Sequence, residues 1–444
     1  MGTLIAAAVP ALAGCSPVQP TAPANVVTTR HTATPATTGR VRALWQGAPW
    51  ADLTFDGPLL LGVDDQRVKA ISAMTGEPAW TAALPASLPD ILGLIPATGV
   101  VVVAAGHSNG AALAMPVVTE YIALDLATGA MRWTAPVTGH YQSPPIAAAG
   151  QYVLTGDPAG SVTARAAATG AVIWRDSRPA GCPANNMPAV PGAGLAADGP
   201  VVIASYPCGR RIAARRFDAA TGKVLWTWRS AAVASNVGLQ VSVTAVGQDG
   251  DVALLAGEIT PTTQPVVSRL PHAHAWPRAL GPALDGAAVL ALDATTGQPR
   301  WTETGGQLEQ FALTVGAACE VVNTGLECRG DATGTPVLPT LLTGRTEADS
   351  PPKAGDGFAG VSAGLAAVIL PSRSGGVTLL VVRVRGGTTL ARVHLAIGTS
   401  AYGGGNARVF VVAAGQLGGR AIVVLVRRVD LPGYPVLALE VPIR

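Results

Sequence analysis

The chain has 444 residues, 49% of them hydrophobic and only 13% charged, with 53 Gly and 36 Pro. This composition excludes a largely disordered chain and suits an all-β protein with many turns. Its net charge of +3 is too small and too scattered along the sequence to imply a nucleic-acid partner.

At the N-terminus, residues 4–12 form a short apolar core that runs into Leu12-Ala13-Gly14-Cys15. This segment is shorter than the roughly 18 uninterrupted apolar residues a spanning helix needs, and no other stretch of the chain reaches that length. Leu12 to Cys15 resembles the lipobox of bacterial lipoproteins, which implies that residues 1–15 are a signal peptide and that Cys15 receives a thioether-linked diacylglycerol. Residues 16–40, rich in Pro, Thr and Ala, then read as a disordered tether. The alternative is a plain Ala-rich leader. With the lipobox, the chain is expected to be exported and lipid-anchored on the outer face of the cytoplasmic membrane, or in an outer membrane where the host has one.

From Val41 onward a short pattern recurs. Trp45 stands first; five copies then place a Thr-Gly pair ahead of a Trp, which falls four residues past the Gly. They are Thr75-Gly76 with Trp80, Thr128-Gly129 with Trp133, Thr169-Gly170 with Trp174, Thr221-Gly222 with Trp226, and Thr296-Gly297 with Trp301. Asp125, Asp218 and Asp293 head three of them, and a decayed sixth keeps Thr333-Gly334 with Leu338 in the Trp position. Each copy reads as a hairpin: an Asp accepts hydrogen bonds from backbone N–H groups just beyond it, and Gly supplies positive φ in the turn. Apolar runs upstream, such as 99–105 and 200–206, supply inner strands. Successive Trp lie 35, 53, 41, 52 and 75 residues apart. A propeller blade takes roughly 40–50 residues, so the last interval predicts an insertion, from Ile259 to Asp285. Beyond Leu338 strand pairs continue, Val377 to Val384 with Thr388 to Leu395, and Ala421 to Arg427 with Tyr434 to Ile443. The predicted fold is a single all-β propeller of four-stranded blades over residues 41–444. Counting hairpins gives eight blades, with seven as the alternative, and the strand of Trp45 is the candidate to close the ring.

These residues resemble the pyrroloquinoline-quinone-type propeller repeat, shared by quinoprotein alcohol dehydrogenases and by the lipoprotein BamB of the outer-membrane β-barrel assembly machinery. The resemblance implies that each blade's Trp docks against its neighbour. It assigns Trp80, Trp133, Trp174, Trp226 and Trp301, with Asp125, Gly129, Asp218, Gly222, Asp293 and Gly297, to cohesion of the fold. It does not by itself choose a function, because catalytic and non-catalytic members carry the repeat alike.

Four cysteines remain once Cys15 is set aside. Cys319 and Cys328 flank the turn 322–325 and would face each other across a two-residue hairpin, while Cys182 and Cys208 lie in the entry loop and the inter-strand turn of one blade. Two disulfides are expected of an exported chain, against four buried free thiols in a cytosolic one.

Chemistry is harder to find. Quinoprotein dehydrogenases, by the resemblance, need adjacent cysteines over the quinone, acidic and amide ligands to Ca²⁺ and an Asp base; no Cys-Cys pair and no Cys-x-x-Cys-His haem attachment occur. His-Glu-x-x-His and phosphate loops ending in Gly-Lys-Ser/Thr are likewise missing from the sequence. His272 and His274 alternate in the insertion and would point the same way, but two ligands do not make a metal site. Arg210, Arg211, Arg215 and Arg216 read as an outward-facing polar strand. No catalytic, cofactor-binding or metal-binding residue is assigned, and no cofactor is expected. The favoured function is a non-catalytic, membrane-anchored scaffold that meets envelope proteins or cell-wall polymer. The alternatives are a diverged quinone-dependent alcohol or sugar dehydrogenase and a ligand-sensing propeller partnered with a membrane kinase.

Overall fold

In the computed structural model, four-stranded antiparallel sheets follow one another along the chain, each built from consecutive strands. The structure describes residues 36–37, 41–47, 51–64, 66–88, 90–107, 117–137, 146–157, 159–182, 194–208, 211–230, 239–249, 252–261, 288–304, 311–314, 317–322, 325–330, 333–342, 358–362, 364–371, 377–384, 388–395, 408–417, 419–428 and 436–442. These fall within one unit, Pro35–Arg444. Among them the sheets number eight: 51–83, 90–136, 146–176, 194–229, 239–304, 311–342, 358–395, and 408–442 completed by Arg42–Gly47. We call them first to eighth in that order. Ala36–Thr37 adds a short outermost strand to the seventh. No helix among the described residues is long and apolar enough to cross a membrane.

The closing strand is the informative one. Arg42–Gly47 pairs antiparallel with Val436–Pro442, so the eighth sheet takes its outer strand from the start of the domain. Arg42 donates to Glu440 Oε2 at 2.8 Å, and Arg420 reaches Glu440 Oε1 at 2.7 Å, tying that strand to the last hairpin. Innermost strands of successive sheets contact one another all the way round, and the innermost strand of the eighth contacts that of the first. The ring is a closed β-propeller.

Burial follows from this arrangement. A second strand such as Val100–His107 has neighbouring sheets against both faces, so its buried residues run without interruption to the exposed His107. Outer strands touch solvent on one side and alternate instead, as Met131–Pro136 does. The core is therefore divided into slabs between sheets: Leu61, Val68 and Trp80 meet Val101, Ile122 and Leu124 between the first and second, and Leu154 and Val162 meet Val202 and Phe217 between the third and fourth. Each fully buried aliphatic contributes roughly 1.5–3 kcal/mol, which no isolated sheet could obtain.

Candidate functional site: the loop-bearing ring face

The repeat residues form the joints between sheets. Trp80 Nε1 donates to Leu126 O at 2.8 Å, Trp133 to Ala167 O at 2.7 Å, Trp174 to Ala219 O at 2.7 Å and Trp226 to Ala294 O at 2.7 Å. Trp45, on the closing strand, does the same to Ala73 O at 2.9 Å, which carries the series across the seam of the ring. Each indole lies on the Gly of the next Thr-Gly turn, and Trp301 lies on Gly334 in the same way. A Cβ built on Gly129 would stand 2.6 Å from Trp80, so the turn needs Gly both for its φ of 74° and for the ring above it.

The turn aspartates are occupied too. Asp125 Oδ1 accepts from Thr128 N and Oγ1, both at 2.8 Å, while Oδ2 accepts from Arg132, whose Nε lies 3.0 Å away. The Arg132 guanidinium and then the Thr128 hydroxyl hold the Asp125 carboxyl down at about 2. Arg300, then Thr296, lowers Asp293 likewise, and Thr221 lowers Asp218. A carboxyl whose folded pKa is depressed stabilises the fold above its ordinary value near 3.8, and that contribution disappears as pH falls through about 2. Asp125→Asn is therefore expected to flatten the acid limb of the stability–pH curve between pH 4 and 2, measured by urea unfolding at a series of pH values. The brace from Arg132 and Arg300, seven residues past each Asp, was not visible in the repeat; its signal is the Arg that precedes Trp in the two sheets concerned.

The arginine run of the fourth sheet corrects a sequence expectation. Arg211 is exposed, but Arg215 reaches back to Asp176 Oδ2 at 2.6 Å and Arg216 reaches forward to Ala294 O. Alternation along Arg211–Asp218 sends the two side chains to opposite neighbours, so they bridge sheets rather than face solvent. Arg210 lies outside the described residues. Two buried phenols carry no sequence signal of their own: the Tyr121 and Tyr206 hydroxyls have no hydrogen-bond partner among the described residues, and burial pushes both pKa values up, so they stay protonated.

Cys182 is bonded to Cys208 and Cys319 to Cys328. Cys319 and Cys328 are direct partners in the ladder, and Cys328 sits opposite Leu338, where other sheets place a residue opposite Trp. The sixth sheet thus carries a covalent cross-link at the level where its docking indole is lost. Serine at both positions is expected to cost roughly 2–3 kcal/mol on the chain-entropy model, read as a lower urea midpoint than the parent's.

A quinone–Ca²⁺ site needs unclaimed carboxylates and adjacent cysteines, whereas Asp125 and Asp293 are taken by turns and arginines and the four described cysteines are spent in two disulfides. These residues do not fit that cofactor. Among the described residues no three His, Cys, Asp or Glu side chains gather as metal ligands. His272, His274 and Cys15 lie outside the described residues, and His107 ends its strand exposed.

What remains is a surface, and the connections define it. Every turn from first to second strand is two residues long, and the third-to-fourth turns of the first six sheets are five. Both kinds lie at one end of each sheet, bound to each other where Leu126 N donates to Gly99 O and Ala219 N to Pro200 O. The third-to-fourth turn of the seventh sheet, 384–387, lies there too, with Val384 N donating to Gly364 O, and the remaining connections leave from the opposite end. They include 108–116, 177–193, 262–287, 343–357 and 396–407. One end of the sheets is closed by tight turns and the long connections leave from the other; the predicted insertion begins later than Ile259, because Ile259, Thr260 and Pro261 still pair in the ladder of the fifth sheet. A rigid ring that holds many loops in one plane is suited to recognition by several simultaneous contacts.

Comparison with known proteins bears on the fold. Residues 64–257 match the family model described as Outer membrane protein assembly factor BamB, so the repeat is of the pyrroloquinoline-quinone propeller type. No curated protein sequence matches the chain. Among solved structures, the C-terminal WD40 domain of Sif2 superposes with a TM-score of 0.52 at 10% identity, over 90% of this chain and 98% of that one. BamB from Moraxella catarrhalis gives 0.48 at 15% identity, over 89% and 97%. Quinohemoprotein alcohol dehydrogenase from Comamonas testosteroni gives 0.49 at 12% identity, over 91% and 77%. The WD40 likeness is one of fold: a propeller.

Proposed function

We propose that this protein is a non-catalytic scaffold of a bacterial envelope, exported and held by lipid at Cys15 on the outer face of a membrane, which presents its loop-bearing ring face to envelope proteins. The observation that carries this reading is the segregation of connections: the recurring residues serve cohesion, and the long connections leave from one end of the sheets. The match of residues 64–257 to an outer-membrane assembly factor supports a partner within an envelope assembly machine. Two disulfides suit an oxidising compartment outside the cytoplasm. The scaffold needs no cofactor.

Metabolic labelling with a fatty-acid analogue, with and without Cys15→Ala, tests the anchor; label retained by the variant would remove it. Crosslinking from the loop face in intact cells, followed by identification of the captured chains, tests the scaffold. Envelope proteins captured by a probe at His107 but not by one at Gly99, on the tight-turn face, are the expected result. Addition of pyrroloquinoline quinone with Ca²⁺ is expected to give no dye reduction with alcohols or sugars; turnover would replace the scaffold with a dehydrogenase.

A further inference from the structure

The rim of the ring is not uniform. Met131, Val172, Ile173, Val224 and Leu225 are the large hydrophobic side chains left exposed among the described residues, with Val172 at 53% and Leu225 at 45%. All five fall at the one or two positions before the docking Trp of three consecutive sheets, the second, third and fourth. The same positions hold Pro78 and Ala79 in the first sheet and Pro299 and Arg300 in the fifth. The aliphatics therefore form one band on one arc of the circumference, at the tight-turn end of the outer strands.

Charge on that arc leans positive, with the partly exposed Glu120 of the second sheet as the one carboxylate among the described residues there that neither an arginine nor a turn holds. Asp125, Asp157 and Asp176 are held by Arg132, Arg175 and Arg215, and Asp218 is turned onto Thr221 with Lys223 beside it. Arg178, Arg211 and Arg229 meet no carboxylate among the described residues; Arg178 and Arg229 lie beyond or at the other end of the outer strands, and Arg211 opens the neighbouring third strand of the fourth sheet at that end. Arg229 donates only to the Ala180 carbonyl. The arc thus presents an apolar band beside a basic one.

Ladder addition of a partner strand is disfavoured here. Each outer strand bulges at the aliphatic positions: Met131 to Trp133, and the skips over Ile173 and Leu225, break the register where an incoming strand would pair. The rim is also convex, so a rigid protein partner would need a matching concavity, whereas a bilayer interface yields around single protruding side chains. The geometry points to an anionic lipid surface as the occupant: the aliphatics enter the headgroup–acyl boundary and the arginines meet lipid phosphates. The ring then stands edge-on to the membrane. This contact is separate from the tether and leaves the loop-bearing face open to solution.

The test uses the full chain with Cys15→Ala, so that no acyl group contributes and the other four cysteines remain in disulfides. Flotation with vesicles of equal parts phosphatidylglycerol and phosphatidylcholine is expected to carry the protein, and phosphatidylcholine alone is not. Replacing Val172, Ile173 and Leu225 by Thr, exposed positions where a strand-forming residue keeps the fold, is expected to lower the partition at least about tenfold, and added salt to weaken it further. An environment-sensitive dye at Ile173→Cys is expected to shift blue on these vesicles, and the same dye at His107→Cys is not. Absence of binding by the untethered chain, equal binding by the triple variant, or a shift at position 107 in place of 173 would overturn the proposal. So would self-association in solution that the triple variant abolishes, which would assign the arc to a second copy. Fatty-acid labelling at Cys15 reads the tether independently, so the two ideas fail separately.

Discussion

Alanine at Gly129 is expected to lower the unfolding free energy by roughly 2–5 kcal/mol, far more than a single methyl group normally costs. Two effects add. The residue has φ at 74°, where an L side chain costs about 1–2 kcal/mol. The new Cβ would also stand 2.6 Å from Trp80 Cε3 and 2.9 Å from Cδ2. That ring has little room to retreat: it is 8% exposed, and its Nε1 is bound to Leu126 O at 2.8 Å, on the turn that carries Gly129. Overpacking at such a contact adds roughly 1–3 kcal/mol. Gly99→Ala supplies the control, since its φ is 75° but nothing lies within 4 Å of the added atom. Urea unfolding of the two variants separates wedge from backbone. Equal losses would show that the indole does not clamp the turn, and with it the account of how sheets are joined would fall.

Removal of Arg42–Gly47 is expected to have the second large effect. The strand supplies the outer ladder of the eighth sheet, the Trp45 indole over Gly76 and the Arg42 side of the Glu440 cluster. The indole alone is worth roughly 3–5 kcal/mol. Its loss also bares the edge of Val436–Pro442, a template for pairing with other chains. The shortened chain is expected to unfold at a markedly lower guanidinium concentration, with aggregation on refolding, and a peptide spanning 41–47 added in trans to restore part of the loss. An unchanged midpoint would mean that the ring holds without this closure.

Both predictions start from residues that stood out in the sequence, and the reason is physical. A joint that needs a large flat ring, a Gly at positive φ and a turn between them leaves little choice of residue, so the joints at Trp80, Trp133, Trp174, Trp226 and Trp301 could be read without coordinates. Past Leu338 the same joint was unreadable because the indole is replaced. The backbone device nevertheless persists. A one-residue bulge in the outer strand recurs in the sixth sheet before Leu338 and in the seventh before Ala391, in the register that precedes each docking Trp. A bulge is defined by pairing, and side-chain identity alone does not reveal it.

The residues by themselves determined the all-β class, the repeating hairpin, the hinge glycines and the two cysteine pairs, because each rests on contacts within a few tens of residues and on types with no substitute. Three features belong to the tertiary structure alone. One is that Trp45 works against Gly76 from the far side of the seam. Another is that Arg215 and Arg216 serve opposite sheets. The last is that every long connection shares one face while exposed aliphatics and spare arginines share one arc of the rim. Such placements depend on which sheet lies beside which, and only closure of the ring settles that.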